Sequence, residues 1–391
     1  MSVRSGRLPR DLSPNRLTAA VAARRAAGLP LLGLTESNPT GVGLAYPDDL
    51  LAPLGSSSAL QYSPEPFGSH AAREAVSADF TRHGVSVPAA RIALTASTSE
   101  AYAMLFKLLC DPGDRVLVPR PSYPLLEHLT ALESVAAVPY ALDAHAGWRL
   151  DVDAVAAAID SRTKAVLVVS PNNPTGSTLD RRELDSLARL AASREVALIG
   201  DEVFADYRLT PAAAGVSVLQ QSRALAFGLG GLSKSVGLPQ VKVAWIGVSG
   251  PPAAVDDALN GLEIVADTFL SVSTPAQLAL GELLRSGAQV RAQIRQRIGR
   301  NLEALRAAVG ATAAVTLHDP SGGWSAVLQV PSTQTEEALA LALVEQDGVL
   351  IHPGYFFDFP REAFVVVSLL PAPATFDAGL SRLLARAAGP A

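Results

Sequence analysis

The chain has 391 residues, of which 49% are hydrophobic and 18% are charged, and its formal net charge is -5 at pH 7. This length exceeds what one hydrophobic core usually organises, so it favours a globular protein of two domains. The charge balance argues against the basic surface that nucleic acid binding requires, and apolar runs of six or seven residues are too short to span a membrane.

The N-terminus and the cysteine content bear on the compartment. Residues 1–16 are basic but are not followed by the apolar core and cleavage site of a signal peptide. The single cysteine, Cys110, excludes an internal disulfide and fits a reducing environment. We therefore expect a cytoplasmic protein that binds neither nucleic acid nor a membrane.

Short apolar strands alternate with longer helical segments in the first two thirds of the chain, which predicts a mostly parallel sheet built from βαβ units. We expect strands at 91–96, 114–119, 165–170, 196–201, 224–228 and 242–248. Helices are expected between them at 98–110 and 180–193, then at 254–270 and 286–309, followed by strands at 323–330 and 364–370. The predicted fold class is α/β, with an N-terminal segment at 1–45, a large α/β domain at 46–275 and a connecting helix plus smaller α+β domain at 276–391.

Polar side chains follow the predicted strands at their carboxyl ends, where ligands bind in open α/β sheets. Ser97, Thr98 and Ser99 come after the first strand and begin a helix, whose backbone N–H groups would receive an anion such as phosphate. A capping box formed by Ser97 and Glu100 explains the same residues without a ligand. Taken alone, these residues favour the cap.

Three further groups follow later strands. Asn172 and Asn173 lie in a Pro-rich segment that is typical of an ordinary turn, and Asp201 with Glu202 alone is more typical of a cap or solvated corner. Lys234 stands among glycines, serines and apolar residues, where an ammonium group is costly to bury. The ordered series of hydroxyls, amide, carboxylate and amine nevertheless fits a cofactor with a phosphate, a group that pairs with a carboxylate, and an aldehyde. Pyridoxal phosphate meets this description.

Three motifs stand in order along the chain: SPNNPTG at 170–176, DEVFADY at 201–207 and GLSKSVGLPQVKVAWIG at 231–247. In these motifs the sequence resembles the fold type I pyridoxal-phosphate enzymes and, among them, the class I/II aminotransferases. The resemblance extends from about residue 60 to the last strand. It implies a dimeric enzyme that moves an amino group from an amino acid or amine to an oxo acid.

The resemblance also implies roles for individual residues. Lys234 matches the lysine that forms the Schiff base with the cofactor, and Asp201 matches the carboxylate that pairs with the pyridine nitrogen. Asn173 matches the donor to the ring 3-oxygen, and Tyr123 matches the aromatic that stacks on the ring. Further cofactor contacts are implied for Ser97, Thr98, Ser99, Ser233, for Lys242 where many relatives have arginine, and for Tyr62 across the subunit interface.

Two positions depart from the family. Phe204 replaces a tyrosine whose hydroxyl bonds the 3-oxygen in relatives, and Val366 replaces the arginine that binds the substrate carboxylate. Either another group binds the carboxylate or the substrate lacks one in the usual place. Candidate substrate residues are Asn38, Arg120, Trp324, His352 and Arg361, while Phe356 and Phe357 fit the substrate side and the core of the small domain equally well.

Other chemistries remain as alternatives. A carbon–sulfur lyase or a decarboxylase of the same fold would retain Lys234 and Asp201, and a non-catalytic cofactor-binding regulator is a third interpretation. The six histidines show no helical i, i+3 or i, i+4 pairing and have no cysteine partner, so no metal site is expected.

Overall fold

The computed structural model of the protein describes residues 4–210 and 215–388. Residues 1–3 and 389–391, the outer ends of the first and third predicted units, lie outside the described residues, as do residues 211–214. The helices are α1 Arg16–Ala26, α2 His70–Arg82, α3 Thr98–Leu109, α4 Leu125–Leu132, α5 Val152–Ala158, α6 Arg181–Arg194, α7 Leu232–Ser235, α8 Pro252–Phe269, α9 Thr274–Ser286, α10 Ala288–Gly310, α11 Glu336–Ala342 and α12 Pro373–Ala388.

The strands belong to one large and two smaller sheets. They are β1 Leu32–Gly33, β2 Ile92–Thr95, β3 Arg115–Arg120, β4 Ala136–Asp143, β5 Arg149–Leu150, β6 Thr163–Val169, β7 Ala197–Asp201, β8 Ala226–Gly231, β9 Ala244–Ser249, β10 Thr316–His318, β11 Ser325–Gln329, β12 Val349–Leu350, β13 His352–Pro353 and β14 Phe364–Ser368.

The large sheet has eight strands in the order β2-β9-β8-β7-β6-β3-β4-β5. Its central strands β4, β3, β6, β7 and β8 are parallel, whereas β9 runs antiparallel to both β8 and β2. This arrangement confirms the α/β fold class and the mostly parallel central sheet. The carboxyl ends of β6, β7 and β8 lie side by side, so the residues that follow them converge.

The apolar sequence of β6 explains why the sheet is covered on both faces. Val166 and Val168 belong to one apolar core, while Leu167 and Val169 belong to the other, because successive side chains of a strand point to opposite faces. Helix α6 contributes to the first core, and α3 and α8 contribute to the second. A strand that is buried on both sides needs a continuous apolar run, which is the pattern that predicted it.

The C-terminal third forms a four-stranded antiparallel sheet in the order β10-β11-β14-β13. Helix α10 packs against α12, and β1 from the N-terminal region pairs in parallel with β12. The chain therefore has a second, smaller sheet next to the large one. The predicted boundaries at residues 45 and 275 remain a prediction.

The predicted elements differ from the observed ones mainly at their ends. Strand β9 begins at Ala244 rather than at Lys242, which has a left-handed backbone φ of 61° and therefore cannot open the strand as predicted. Strand β4 was not among the predicted strands, and α9 precedes α10 as a separate helix. No helix among the described residues is long and apolar enough to cross a membrane.

Candidate active site

A central cavity of about 380 Å³ lies between the strand ends of the large sheet and the small sheet. It brings together residues that are far apart in sequence and that lie at the ends of five strands of the large sheet: β2, β3, β6, β7 and β8. Eleven of the predicted site residues line it: Ser97, Thr98, Ser99, Tyr123, Asn173, Asp201, Phe204, Ser233, Lys234, Trp324 and His352. The geometry therefore matches the expectation that the polar residues at the strand ends share one site.

Lys234 lies in the short helix α7, directly after β8, and is surrounded by aromatic rings. Its Nζ lies 4.6 Å from the centre of the Trp324 ring and 5.5 Å from the centre of the Phe204 ring. Burial lowers the pKa of Lys234 to about 8, although the negative charge of Asp201 acts in the opposite direction. Near neutral pH the neutral, nucleophilic form of this amine is therefore far more populated than in an ordinary lysine, although the charged form still predominates.

Asp201 ends β7 and is held by two donors. The Tyr102 hydroxyl donates to Oδ2 at 2.8 Å, and the backbone N–H of Val203 donates to Oδ1 at 3.3 Å. Burial raises the pKa of Asp201, while these two hydrogen bonds and the charge of Lys234 lower it. Tyr102 was not predicted as a site residue; its only sequence signal is that it lies four residues after Thr98 and hence on the same helix face.

The hydroxyl cluster at the start of α3 both caps the helix and lines the central cavity. Ser97 caps the helix, since its Oγ accepts a hydrogen bond from the Glu100 N–H at 3.1 Å. The Glu100 carboxylate accepts from the Ala96 N–H at 2.5 Å instead of completing the box at Ser97. Because Ser97 also lines the central cavity, the cap leaves the helix N-terminus, with its partial positive charge, at the site.

The two asparagines of the segment after β6 have different roles. Asn172 is buried and holds the turn, because its Oδ1 accepts hydrogen bonds from the Thr175 N–H and hydroxyl at 3.1 and 2.8 Å. Asn173 lines the central cavity. Asn172 therefore fits the interpretation as a turn residue, and Asn173 fits the interpretation as a site residue.

Aromatic side chains close the site around Lys234. Trp324 packs edge-on against Phe204 and Tyr207, with ring centres 5.3 and 5.1 Å apart. The Tyr207 hydroxyl donates to the backbone carbonyls of Lys234, at 2.5 Å, and Ser235, at 3.4 Å. This hydroxyl is engaged with the backbone, so it does not replace the one that Phe204 lacks.

The predicted substrate residues fall into two groups. His352 and Trp324 line the central cavity, and burial lowers the pKa of His352 to about 4, so its imidazole is neutral at pH 7. Arg120 instead pairs with Asp358, with Nη2 and Oδ1 2.8 Å apart, and Arg361 lies over the Phe364 ring; neither lines the cavity.

Three other positions bear on the expectations for the site. Val366 lines the central cavity with a side chain that is 1% exposed, and Phe356 and Phe357 line it as well while also contacting the apolar core. Asn38 caps a 3-10 turn by accepting from the Thr40 N–H at 3.1 Å. It lines a neighbouring depression that Lys234 also borders.

Lys242 and Tyr62 lie outside the lining of the central cavity. Lys242 is exposed to solvent, two residues before β9, and Tyr62 is 68% exposed. The contacts of Lys242 and Tyr62 with a cofactor phosphate are therefore still predictions. Among the residues that the structure describes, no group of three His, Cys, Asp or Glu side chains could hold a metal ion.

Comparison with known families gives a match over most of the chain. Residues 31–380 match the family described as Aminotransferase class I and II. The chain is 28% identical to an alanine aminotransferase of Mycobacterium tuberculosis, over 92% of this chain and 86% of the relative. It is 25% identical to a glutamate-pyruvate aminotransferase of Haemophilus influenzae, over 91% of this chain and 90% of that protein.

Solved structures share the fold. An aminotransferase from Escherichia coli superposes with a TM-score of 0.88 at 24% identity, covering 99% of this chain and 98% of its own. An alanine aminotransferase from Pyrococcus furiosus superposes with a TM-score of 0.87 at 22% identity, covering 97% and 98% of the two chains. At these identities the superpositions show the fold alone.

Proposed function

Because the chain belongs to the class I and II aminotransferase family, we propose that its central cavity binds pyridoxal 5'-phosphate and that Lys234 forms the covalent bond to it. The observation that carries this proposal is the meeting of Lys234, Asp201 and Asn173 in one cavity with the hydroxyl groups at the start of α3. Each of these groups belongs to a different strand end. An amine, a carboxylate, an amide and an anion site are the set of partners that this cofactor requires.

The residues fit the cofactor group by group. Ser97, Thr98, Ser99 and Ser233 offer hydroxyls to a phosphate beside the α3 N-terminus, and the helix is long enough to carry a dipole. Asp201 would accept a hydrogen bond from a protonated pyridine nitrogen, and Asn173 would donate to the ring oxygen. Tyr123, which is 40% exposed at the cavity edge, would cover one ring face.

The chain's own groups account for proton movement in the reaction. The bound cofactor supplies an aldehyde carbon and an electron-accepting ring. The Nζ of Lys234, with a pKa of about 8, would take the proton from the amine-bearing carbon of the substrate and deliver it to the former aldehyde carbon of the cofactor. The hydrogen bonds from Tyr102 and Val203 favour the charged form of Asp201 against the effect of burial, and in that form Asp201 would hold a protonated ring nitrogen.

Two aromatic residues shape the space in which Lys234 moves. Trp324 and Phe204 line the cavity next to Nζ and are only 3% and 8% exposed. They exclude water from the amine, which keeps its pKa low. Water would then supply the oxygen that releases the donor's carbon skeleton as an oxo compound, and an oxo acid would accept the retained nitrogen in the reverse sequence.

The remaining parts of the proposal concern assembly and compartment. We assign the protein to a homodimer in which Tyr62 contributes to the partner's site, which its high exposure outside the cavity lining supports. We also assign it to the cytoplasm, which the single cysteine, Cys110, supports.

A single-turnover experiment tests the reaction type. Donors are added to cofactor-loaded protein without an oxo acceptor, and the cofactor is then extracted and identified by mass spectrometry. We expect the amino form of the cofactor from the wild type and none from Lys234→Ala. Return of the aldehyde form together with a cleaved or decarboxylated donor would instead identify a lyase or decarboxylase, and no change with any donor would favour a regulator.

A further inference from the structure

One side of the central cavity comes from the small sheet and the segment beside it, and we call it the small-sheet wall. It consists of Trp324, Ser325, His352, Phe356, Phe357, Val366 and Ser368. The register pairs Val366 with His352 and Ser325 with Ser368 across neighbouring strands, so these four side chains lie on one face of the sheet. The wall is thus a continuous surface opposite the strand ends that carry Lys234 and Asp201.

We propose that the substrate group lying against this wall is uncharged, so that the preferred amino donors are amines in which no free carboxylate adjoins the amine-bearing carbon. The inference rests on the function proposed above and specifies its substrate class. Simple alkyl amines and amino acid amides belong to this class. Their oxo products are aldehydes or ketones rather than 2-oxo acids. Because both half-reactions use this one cavity, the favoured oxo acid acceptors are likewise those whose carboxylate does not adjoin the oxo carbon.

The charges around the cavity support this inference. Among the described lining residues, Lys234 is the only side chain that is charged positively at neutral pH, and it is committed to the reaction. Arg120 is held outside by Asp358, through its Nη2 to Oδ1 and its Nε to the backbone carbonyl at 2.9 Å. Arg361 lies outside over Phe364, with its guanidinium carbon 5.5 Å from the ring centre.

The wall itself offers apolar surface and neutral hydroxyls. Trp324, Phe357 and Val366 are between 1% and 6% exposed, and the buried imidazole of His352 is neutral at pH 7. A carboxylate placed here would lose its hydration without gaining a cation, which is unfavourable unless the charge is paired. An alkyl, amide or hydroxyl group incurs no such cost.

Two donors with one carbon skeleton test the inference. The half-reaction of cofactor-loaded enzyme with L-alanine and with L-alaninamide is followed by cofactor absorbance, and rates are expressed per concentration of unprotonated amine. We expect kcat/KM for alaninamide to exceed that for alanine by at least about tenfold, since only alanine brings an unpaired charge to the wall.

Variants test whether the small-sheet wall causes the preference for alaninamide over alanine. In Val366→Arg, the ratio of kcat/KM for alaninamide to kcat/KM for alanine is expected to fall by at least about tenfold, because a guanidinium pairs with a carboxylate. Val366→Leu, which changes shape without adding charge, should keep the wild-type preference. Arg120→Ala and Arg361→Ala should leave both rates within about twofold, as expected for residues outside the site.

The outcomes are distinguishable. A wild type that prefers alanine overturns the inference, whether or not Val366→Arg folds. A selective loss of the alanine rate in Arg120→Ala or Arg361→Ala also overturns it, because that arginine would then bind the carboxylate. If no donor of either kind changes the cofactor, the proposed function fails and the inference fails with it.

Discussion

The ionisation of Asp201 depends on a tyrosine from another element. Burial alone would favour the neutral carboxyl, and the hydroxyl of Tyr102 is the side-chain donor that opposes this effect at Oδ2. Tyr102 does not line the cavity, so it acts through Asp201 rather than on the substrate. We regard it as a positioning residue.

Tyr102→Phe should shift the acidic limb of the activity profile to higher pH. The pKa of Asp201 rises when the donor is removed, so the carboxylate is lost at a higher pH as the solution is acidified. A hydrogen bond to a charged group contributes about 1.5–3 kcal/mol, which corresponds to about one pH unit or more. The pH dependence of kcat/KM measures this shift.

Tyr140→Phe is the matched control, because Tyr140 is also buried and donates to a backbone carbonyl, that of Leu167, at 2.8 Å. It should lose stability without moving the acidic limb. Equal profiles for wild type and Tyr102→Phe would show that Tyr102 has no influence on Asp201.

Lys242 presents a different case, since it is exposed and lies outside the cavity lining. Exposed ion pairs contribute about 0.2–1 kcal/mol, so Lys242→Ala should raise the cofactor Kd by no more than about fivefold, and less at high salt. Lys164→Ala, which removes a lysine paired with Asp114, serves as the control. An unchanged Kd at low salt would remove Lys242 from the phosphate site.

At the scale of elements, the N-terminus of α3 links stability to ligand binding. Ser97→Ala removes the cap and should lower the free energy of unfolding by about 1 kcal/mol. It should also weaken cofactor binding, because the same hydroxyl lines the cavity. Denaturant unfolding of the cofactor-free protein and cofactor titration measure the two effects separately.

Ser69→Ala provides the comparison, since Ser69 caps α2 by accepting from the Ala72 N–H and does not line the central cavity. It should lower stability by a similar amount and leave the cofactor Kd unchanged. Equal Kd values for wild type and Ser97→Ala would contradict a phosphate contact at Ser97.

The elements also show what the sequence can predict. Strands such as β6 were predictable because burial on both faces requires an uninterrupted apolar run. Strand β4 was not predicted: its residues alternate between exposed and buried along the last half, and it contains Pro139, so no continuous apolar run exists. Tyr102 was missed because its partner, Asp201, is 99 residues away and only the tertiary fold brings them together.

At the scale of the whole molecule, the proposed dimer places two chains at each site. Leu60 is 91% exposed and Tyr62 is 68% exposed, so this segment leaves apolar side chains uncovered in the single chain. A partner subunit that covers them would also bring Tyr62 to the other site. The proposal therefore predicts complementation between a variant that lacks Tyr62 and a variant that lacks Lys234.

Chains carrying Tyr62→Ala and chains carrying Lys234→Ala are refolded together. The enzymatic activity of the mixture is compared with that of each variant refolded alone. In mixed dimers one site has both Lys234 and a partner's Tyr62, so about half the dimers should each regain one active site if subunits pair at random. Activity of the mixture that only averages the separate variants would contradict a shared site. Sedimentation confirms that the mixed samples are dimeric.

The proposed function requires that Lys234 carries the cofactor, and the chain allows a clear test because it has only four lysines: Lys107, Lys164, Lys234 and Lys242. Lys107 and Lys164 pair with Glu133 and Asp114, and Lys242 is exposed. Borohydride reduction of the cofactor-loaded protein, followed by peptide mass spectrometry, locates the attachment. We expect the cofactor mass on the peptide that contains Lys234 and none after Lys234→Ala. A label on any other lysine of the wild type, or on none, would contradict attachment at Lys234.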